Sequence, residues 1–523
     1  MLRNPLHIYG ADDANIPADL HFGKYLLQMC IKFGDNIALI DADTNQKMTY
    51  KEVAQLSVNI ALSLKRLNVS VGDVVSICCE KRTEFMPTVV GILCTGATFS
   101  AADNGVIDEQ ILYRLNVTKP KVLFLSKDAY EKHQATLRSA TYIKHIIVYT
   151  DEHIGPMSFK QFLTEHAPIE NFEPTPVEGW KEIAIIQFSS GTSGMPKAAK
   201  YTHRSFLMTN RNVLYDPRDN EHYTMLSTRE WYYSFGLYHT LASLSWGYTI
   251  VFTLKNDTKD YLEAIEKYKV DNIQIVPTTI TDLIKYPELH KYDVSSLKVL
   301  FCTSIPISSE LLASAKDKFK SLKKLTQIYG LTEVGCIVKE DGDTEKNKLG
   351  SVGVACAGTV FKVVDLETQQ PVGPYKHGEI RFKSLSLMSG YIGDEERAYL
   401  DDEGFYKSGD VGYYDDDKHF YIVDRIKEMI KYKGCSLSPS EIENVLLKHP
   451  SIRDVGVTSL PFSEAPIAFI VRQTNCEINE KQVAEYLSSK MPSVTMSGGI
   501  RFVEKLPRGA GTKLDRKALR NMI

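Results

Sequence analysis

Nine consecutive residues, Ser189-Ser190-Gly191-Thr192-Ser193-Gly194-Met195-Pro196-Lys197, combine hydroxyls, glycines and a closing lysine. Glycine lets successive backbone N–H groups turn inward toward a polyphosphate without steric conflict. The hydroxyls of Ser189, Ser190, Thr192 and Ser193 add donors, and Lys197 adds a fixed positive charge. The spacing is not that of a Walker loop. A polar surface loop has the same composition; the difference here is that the segment follows the apolar run Ile183–Phe188 and is closed by Pro196-Lys197. A second string, Tyr329-Gly330-Leu331-Thr332-Glu333, follows the apolar run Leu325–Tyr329. Its aromatic ring can stack on a base, its threonine can bond a phosphate, and its glutamate can hold Mg²⁺ through oxygen. A Tyr-Gly turn followed by Thr-Glu is equally ordinary chemistry for a helix start. Three more strings are chemically suggestive. The carboxylate of Asp410, in Ser408-Gly409-Asp410, can accept both hydroxyls of a ribose, although an aspartate in a turn reads the same way. Lys431-Tyr432-Lys433-Gly434 with Arg425 and Lys427 is a basic cluster or a solvated face, and Lys513 stands in Gly511-Thr512-Lys513-Leu514-Asp515.

These strings need a scaffold, and the chain alternates helix-like and strand-like runs. Thr49-Tyr50-Lys51-Glu52 is a capping-box pattern, and Val53, Leu56, Ile60, Leu64 and Leu67 follow at helical spacing. Asp73–Cys79, Val122–Leu125 and His145–Tyr149 read as buried strands, with a more polar helix around Asp108–Leu115. Similar alternation continues through Asn272–Pro277 and Val299–Cys302, which predicts a largely parallel sheet covered on both faces. From about Phe361 to Phe382 the pattern becomes strand and turn. A charged cluster at Asp424–Lys427 marks the boundary of a smaller C-terminal unit. That unit has its own strands, Val455–Val457 and Ile467–Val471, and a helix near Glu480–Met491.

Bulk properties narrow the partners. A chain of 523 residues suits a large domain plus a smaller one, and a formal charge of −3 offers no broad cationic field for nucleic acid or anionic lipid. Nine cysteines without metal-ligand spacing are expected to be buried free thiols. Trp231–Leu254 carries no Lys, Arg, Asp or Glu, yet its Tyr, Ser, Thr and His content suits a buried pocket-lining segment better than a membrane span.

The order and spacing of the five strings resemble the adenylate-forming superfamily of acyl-CoA synthetases, aryl-CoA ligases, beetle luciferases and peptide-synthetase adenylation domains. Ser389-Gly390-Tyr391, Asp402-Glu403-Gly404-Phe405, Lys407-Ser408-Gly409-Asp410, Phe420–Arg425, Ile430–Gly434 and Pro439-Ser440-Glu441-Ile442-Glu443 are similar to the branch of insect luciferases, insect acyl-CoA synthetases and coumarate-type ligases. The resemblance implies an α/β fold in two parts. Residues 1–423 would form an adenylation domain of layered sheets plus a small β-barrel-like region. A hinge at 424–427 would lead to a small mobile α+β domain at 428–523. It also implies that Ser189, Ser190, Gly191, Thr192, Ser193, Gly194 and Lys197 hold the β,γ-phosphates of ATP, and that Tyr329 stacks on adenine with Gly330 among the nucleotide contacts. Thr332 would contact the α-phosphate, Glu333 and Thr192 would bind Mg²⁺, and Asp410, assisted by Arg425, would bind the ribose. Lys513 would serve the adenylation step and Lys433 the second step. The carboxylic acid becomes an acyl-adenylate, which then passes to CoA, or to O₂ in the luciferase reading.

Several positions depart from that pattern. Tyr233, in Tyr232-Tyr233-Ser234-Phe235-Gly236, stands where the branch has a histidine, and a phenol supplies no imidazolium charge near neutral pH. Cys302-Thr303-Ser304-Ile305-Pro306 replaces a Gly-Gly-Ala-Pro-like stretch, so Thr303 and Ser304 narrow the space for adenine and acyl group. The loop Leu460–Pro466 is shorter than in relatives. The acyl pocket is expected from Trp231–Thr240 with Thr303 and Ser304. Tyr233, Phe235 and His239 line it, with Trp231, Tyr232 and Tyr238 adding aromatic surface. Such a lining favours an aromatic or medium-to-long apolar acid, with His239 either a polar anchor or a core histidine. A homologue that binds nucleotide without turnover is a further reading, based on Tyr233, Thr303 and Ser304. No signal-peptide core opens the chain and it closes on Asn521-Met522-Ile523 rather than a Ser-Lys-Leu-like tripeptide, so a cytoplasmic protein is expected.

Overall fold

The computed structural model describes residues 4–11, 19–189, 195–214, 222–303, 307, 309–340, 348–394, 396–432, 435–461, 463–473, 476–492, 494–508 and 514–523. Of the residues expected to act, Ser190, Gly191, Thr192, Ser193, Gly194, Ser304, Lys433 and Lys513 lie outside them.

Among the described residues, two large sheets carry the N-terminal part. In the first, Val74–Cys78 lies between Thr98–Ala101 and Val122–Ser126, with His145–Tyr149 beyond and Ile183–Ser189 on the other flank, all parallel. Lys197–Thr202 then runs antiparallel to Ile183–Ser189, and Gly390–Tyr391 pairs with its outer edge. The second sheet has a parallel core of Lys324–Leu331, Val299–Cys302, Asn272–Ile275, Thr224–Ser227, Thr249–Phe252 and Ile37–Asp41. Near-continuous burial of these strands follows from helices covering their faces, as the apolar runs predict. A third, antiparallel sheet built on Thr359–Val364, Gly378–Ser384, Tyr406–Tyr414 and Phe420–Arg425 supplies the barrel-like region.

The helices follow their local signals. Thr49 caps Tyr50–Arg66 by accepting from Glu52 N at 3.2 Å while Glu52 accepts from Thr49 N at 2.7 Å, so the capping box forms as read. Trp231–Leu254 becomes the helix Ser234–Trp246 followed by the strand Thr249–Phe252. Gly236 to Ser245 of that helix are all buried, the polar His239, Thr240, Ser243 and Ser245 among them, because neighbouring helices and strands enclose it on every side. Among the described residues no helix is long and apolar enough to cross a membrane. Cys30, Cys78, Cys79, Cys94, Cys302, Cys336 and Cys356 are buried free thiols, and Cys476 is half-buried.

Past Phe420–Arg425 comes a short 3-10 turn, Ile426–Glu428. Beyond it Ile430, Ile442, Val457, Ile470 and Leu487 gather in a separate apolar core. Ile452–Ser459 and Pro466–Arg472 pair antiparallel there, Ile500–Phe502 joins parallel, and helices Pro439–Leu446 and Glu480–Lys490 pack on them.

Candidate functional site

The Ser/Gly-rich segment closes an antiparallel hairpin. Ser189, the last residue of one strand, is the register partner of Lys197, the first of the next. The geometry therefore differs from a strand-to-helix phosphate loop, which places the phosphate at a helix N-terminus. Ser189 is buried and Lys197 exposed. The Lys197 ammonium lies 5.1 Å from the centre of the Tyr391 ring, and Pro196 O accepts from Tyr113 OH at 3.0 Å.

The second string does not begin a helix. Lys324–Leu331 continues through Tyr329 and Gly330 with a shift of register between them, turns at Thr332–Val334, and returns as Gly335–Lys339 with Leu331 opposite Gly335. The turn prevails because the backbone is packed too tightly for side chains. A Cβ on Gly330 would lie 2.0 Å from Gly335 O, and Gly335 itself has φ +70°. Tyrosines hold this turn. Thr332 O accepts from Tyr201 OH and, at 3.0 Å, from Tyr238 OH. Thr332 Oγ1 lies 3.1 Å from Ser234 Oγ at the start of the buried helix. Glu333 Oε1 accepts from Tyr391 OH at 2.8 Å, and Tyr406 OH is 3.2 Å from Tyr391 OH. Burial raises the phenol pKa of Tyr201, Tyr238 and Tyr391, so these groups remain neutral donors.

Ser408-Gly409-Asp410 lies inside the strand Tyr406–Tyr414, where Gly409 takes φ +71°, so it is an irregularity within a strand and no turn. Asp410 is buried, and both its oxygens are engaged: Oδ2 accepts from Tyr329 OH at 2.6 Å and Oδ1 lies 2.6 Å from Arg425 Nε. Asp410 and Arg425 are register partners on adjacent strands, which fixes this pair. Burial, with the Asp410 charge beside it, pushes the Tyr329 phenol up. Partial desolvation of the half-exposed Arg425 guanidinium lowers its pKa, but Asp410 raises it overall.

Mg²⁺ suits Glu333. Its Oε1 bonds Tyr391, and no hydrogen bond reaches Oε2 among the described residues. A hard cation bound through one or two carboxylates takes its remaining ligands from water and substrate phosphate.

The expected acyl pocket divides. Phe235, His239 and Phe301 cluster, with the Phe235 and His239 rings 6.0 Å apart and His239 4.5 Å from Phe301, while Thr303, two residues past Phe301, donates from Oγ1 to Ile328 O at 3.5 Å. His239 is fully buried with neither ring nitrogen bonded among the described residues, and burial drives its pKa down to about 3. Trp231 and Tyr238 instead belong to the core. Trp231 packs between Phe85 and Phe252 and donates to Ser227 Oγ at 3.1 Å. Tyr238 packs on Tyr201 and Phe206. Tyr233 donates to Asp103 Oδ2 at 3.2 Å, and burial raises its phenol to about 12. Asp103, Arg114 and Tyr201 carried no motif signal and reach the site from distant parts of the chain, while Phe301 and Tyr406 adjoin quoted strings but stood outside them. Tyr391 stood in a recognised string without an assigned role.

Comparison with known proteins agrees with this architecture. The profile of the AMP-binding enzyme family matches residues 28–392, and that of the AMP-binding enzyme C-terminal domain matches residues 441–513. Luciferin 4-monooxygenase of Photuris pensylvanica is 31% identical over 534 residues, spanning 99% of this chain and 98% of that protein. Probable 4-coumarate–CoA ligase 3 of Dictyostelium discoideum is 31% identical, spanning 93% of this chain and 92% of that protein. The luciferase-like enzyme of the nonluminescent Zophobas morio mealworm superposes with TM-score 0.74 at 28% identity, covering 81% of this chain and 99% of that one. An anthranilate CoA ligase in complex with anthranoyl-AMP shares the fold at TM-score 0.87 and 21% identity, covering 97% of this chain and 98% of that one. The chain belongs to the AMP-binding enzyme family and is an ATP-using, acid-activating, adenylate-forming enzyme of the branch that holds luciferases and coumarate–CoA ligases.

Proposed function

We propose that the enzyme adenylates an aromatic or medium-to-long apolar carboxylic acid and transfers the acyl group to the thiol of CoA. One observation carries the assignment of the nucleotide site. Tyr391 places its ring beneath Lys197 at the end of the Ser/Gly-rich segment and its hydroxyl on Glu333, joining the two strings most suited to phosphate and metal. In this reading Ser189, Lys197 and the residues between them grip the β,γ-phosphates. Tyr329 and Gly330 lie along the adenine, Asp410 takes the ribose hydroxyls with Arg425 beside it, and Thr332 contacts the α-phosphate. When bound at Glu333 and Thr192, Mg²⁺ supplies charge neutralisation for the phosphates. The substrate carboxylate oxygen attacks the α-phosphorus, the bond to the β-phosphate bridging oxygen breaks, and pyrophosphate leaves. Lys513 stabilises charge between carboxylate and α-phosphate, so catalysis is mainly positioning and electrostatics.

Rotation about 424–427 then exchanges Lys513 for the Lys433 face. The CoA sulfur attacks the acyl carbon, and AMP leaves with the electron pair of its acyl–oxygen bond. Phe235, His239, Phe301 and Thr303 are the acid-side contacts that support an aromatic or apolar substrate. The end-to-end similarity to a luciferin monooxygenase favours a second reading, in which O₂ replaces CoA at the same adenylate. Adenylate formed from a panel of acids, then divided between CoA under nitrogen and O₂ without CoA, separates the two. Thioester in the first arm supports the ligase; light only in the second arm overturns it.

A further inference from the structure

The helix Asp108–Thr118 packs against both limbs of the hairpin that carries the Ser/Gly-rich segment. Tyr113 OH donates to Pro196 O at 3.0 Å, just before Lys197. One residue on, the Arg114 guanidinium carbon lies 5.7 Å from the centre of the Phe188 ring, just before Ser189. Arg114 is therefore anchored at the base of the loop, between its entry and its exit.

Its bonding is incomplete. The side chain is 13% exposed, and its Nε is buried without a hydrogen-bond acceptor among the described residues. The nearest carboxylate oxygen, Asp103 Oδ2, is 3.9 Å from Nη1, beyond hydrogen-bond length. That same oxygen accepts from Tyr233 OH at 3.2 Å, so part of its capacity is already used. Tyr233 leads directly into Ser234, whose hydroxyl meets Thr332 Oγ1 at 3.1 Å. A largely buried guanidinium with an unsatisfied donor is costly, and its planar fork of donors matches a phosphate or a carboxylate; at the base of this loop the anion at hand is the phosphate. Asp103 and the Phe188 ring hold the group in place without saturating it.

We propose that Arg114 is a phosphate-binding residue of this enzyme, holding the β- or γ-phosphate of ATP at the base of the Ser189–Lys197 loop while Asp103 and Tyr233 restrain its guanidinium. The proposal rests on the reading of that loop as the triphosphate site. No bond is made or broken by Arg114; its contribution is to binding and to the charge of the departing pyrophosphate.

The test is calorimetric binding of MgATP and of AMP, which lacks the β- and γ-phosphates, to the wild type and to Arg114→Gln, Arg114→Lys and Lys197→Gln. Arg114→Gln should weaken MgATP by about 10-fold or more and leave AMP unchanged within about twofold. Arg114→Lys keeps the charge and loses the fork, so it should recover part of the ATP preference and also stands in if the glutamine variant does not fold. Parallel loss of ATP and AMP binding, or no loss of either, overturns the proposal. A reduced ATP-over-AMP ratio in Lys197→Gln but not in either Arg114 variant overturns this inference alone. An unchanged ratio in all three variants overturns the loop reading as well.

Discussion

Replacing Asp410 with asparagine preserves shape and removes one charge at the centre of the proposed nucleotide site. In the native protein its Oδ1 is 2.6 Å from Arg425 Nε and its Oδ2 accepts from Tyr329 at 2.6 Å. The Arg425 side chain is 41% exposed, so solvent screens the lost pair and its contribution falls near the top of the range for exposed pairs, about 1 kcal/mol. The Tyr329 bond changes from charge-assisted to neutral, which costs about 1 kcal/mol more. The folded state should therefore lose about 2 kcal/mol, seen as a lower thermal midpoint without ligand. Nucleotide recognition should suffer more selectively. A carboxylate can accept from both ribose hydroxyls, whereas the amide offers one acceptor and presents donors to the other. Losing one charge-assisted hydrogen bond is a loss of about 1.5–3 kcal/mol, or roughly 10- to 100-fold in affinity. The assay compares dissociation constants for ATP and 2′,3′-dideoxy-ATP in both proteins. The wild type should prefer ATP strongly and Asp410→Asn should discriminate little. If the variant retains the full wild-type preference for ribose hydroxyls, Asp410 does not bind them.

Other consequences are independent of that one. Tyr391→Phe removes the donor that orients Glu333 Oε1, so the Mg²⁺ concentration giving half-maximal ATP binding should rise several-fold while AMP binding is unchanged; an unaltered Mg²⁺ titration refutes the positioning role. Lys81 is fully buried with only Glu230, at 3.5 Å, as counter-ion among the described residues. Glu230→Gln should cost about 2–4 kcal/mol in denaturant unfolding, while Lys81→Met should stay within about 1 kcal/mol of the wild type; equal losses in both would contradict this. Burial holds the imidazoles of His21, His203 and His239 at about 4, 3 and 3, below the ordinary 6.5. As pH falls below 6.5 the unfolded chain takes up protons that the folded one refuses. Stability should therefore drop by up to ~1.4 kcal/mol per pH unit per histidine until the folded values are reached. His239→Leu should remove about one third of the slope due to these three, measured by unfolding between pH 7 and 5, and an unchanged slope would argue that the ring is solvated.

The parallel sheets were readable because burial on both faces writes strands as unbroken apolar runs, as at Val122–Ser126 and Val299–Cys302. The loop from Ser189 to Lys197 was readable as a unit, but its hairpin geometry was not. That geometry depends on Lys197–Thr202 pairing back onto Ile183–Ser189, and a six-residue strand in which four residues are Lys or Ala carries a weak local signal. Thr332-Glu333 has the composition of a helix start; Gly335 and the packing of its backbone on Gly330 make it a hairpin instead. The tyrosine frame was least visible. Tyr201 and Tyr238 meet at the Thr332 carbonyl from 131 and 94 residues away, and Tyr391 reaches Glu333 across 58. No periodicity records such contacts. For the same reason Trp231 and Tyr238 read as pocket lining, although the fold turns both into the core.

At the heart of this enzyme's chemistry is the joining of a carboxylate to the α-phosphate of ATP. Exchange of labelled pyrophosphate into ATP, run with a panel of aromatic and fatty acids and without CoA, tests it most directly. Exchange should depend on the acid, need no CoA, and fall sharply in Lys513→Ala while ATP binding is retained. ATP binding without exchange for any acid, or full exchange in Lys513→Ala, would contradict it.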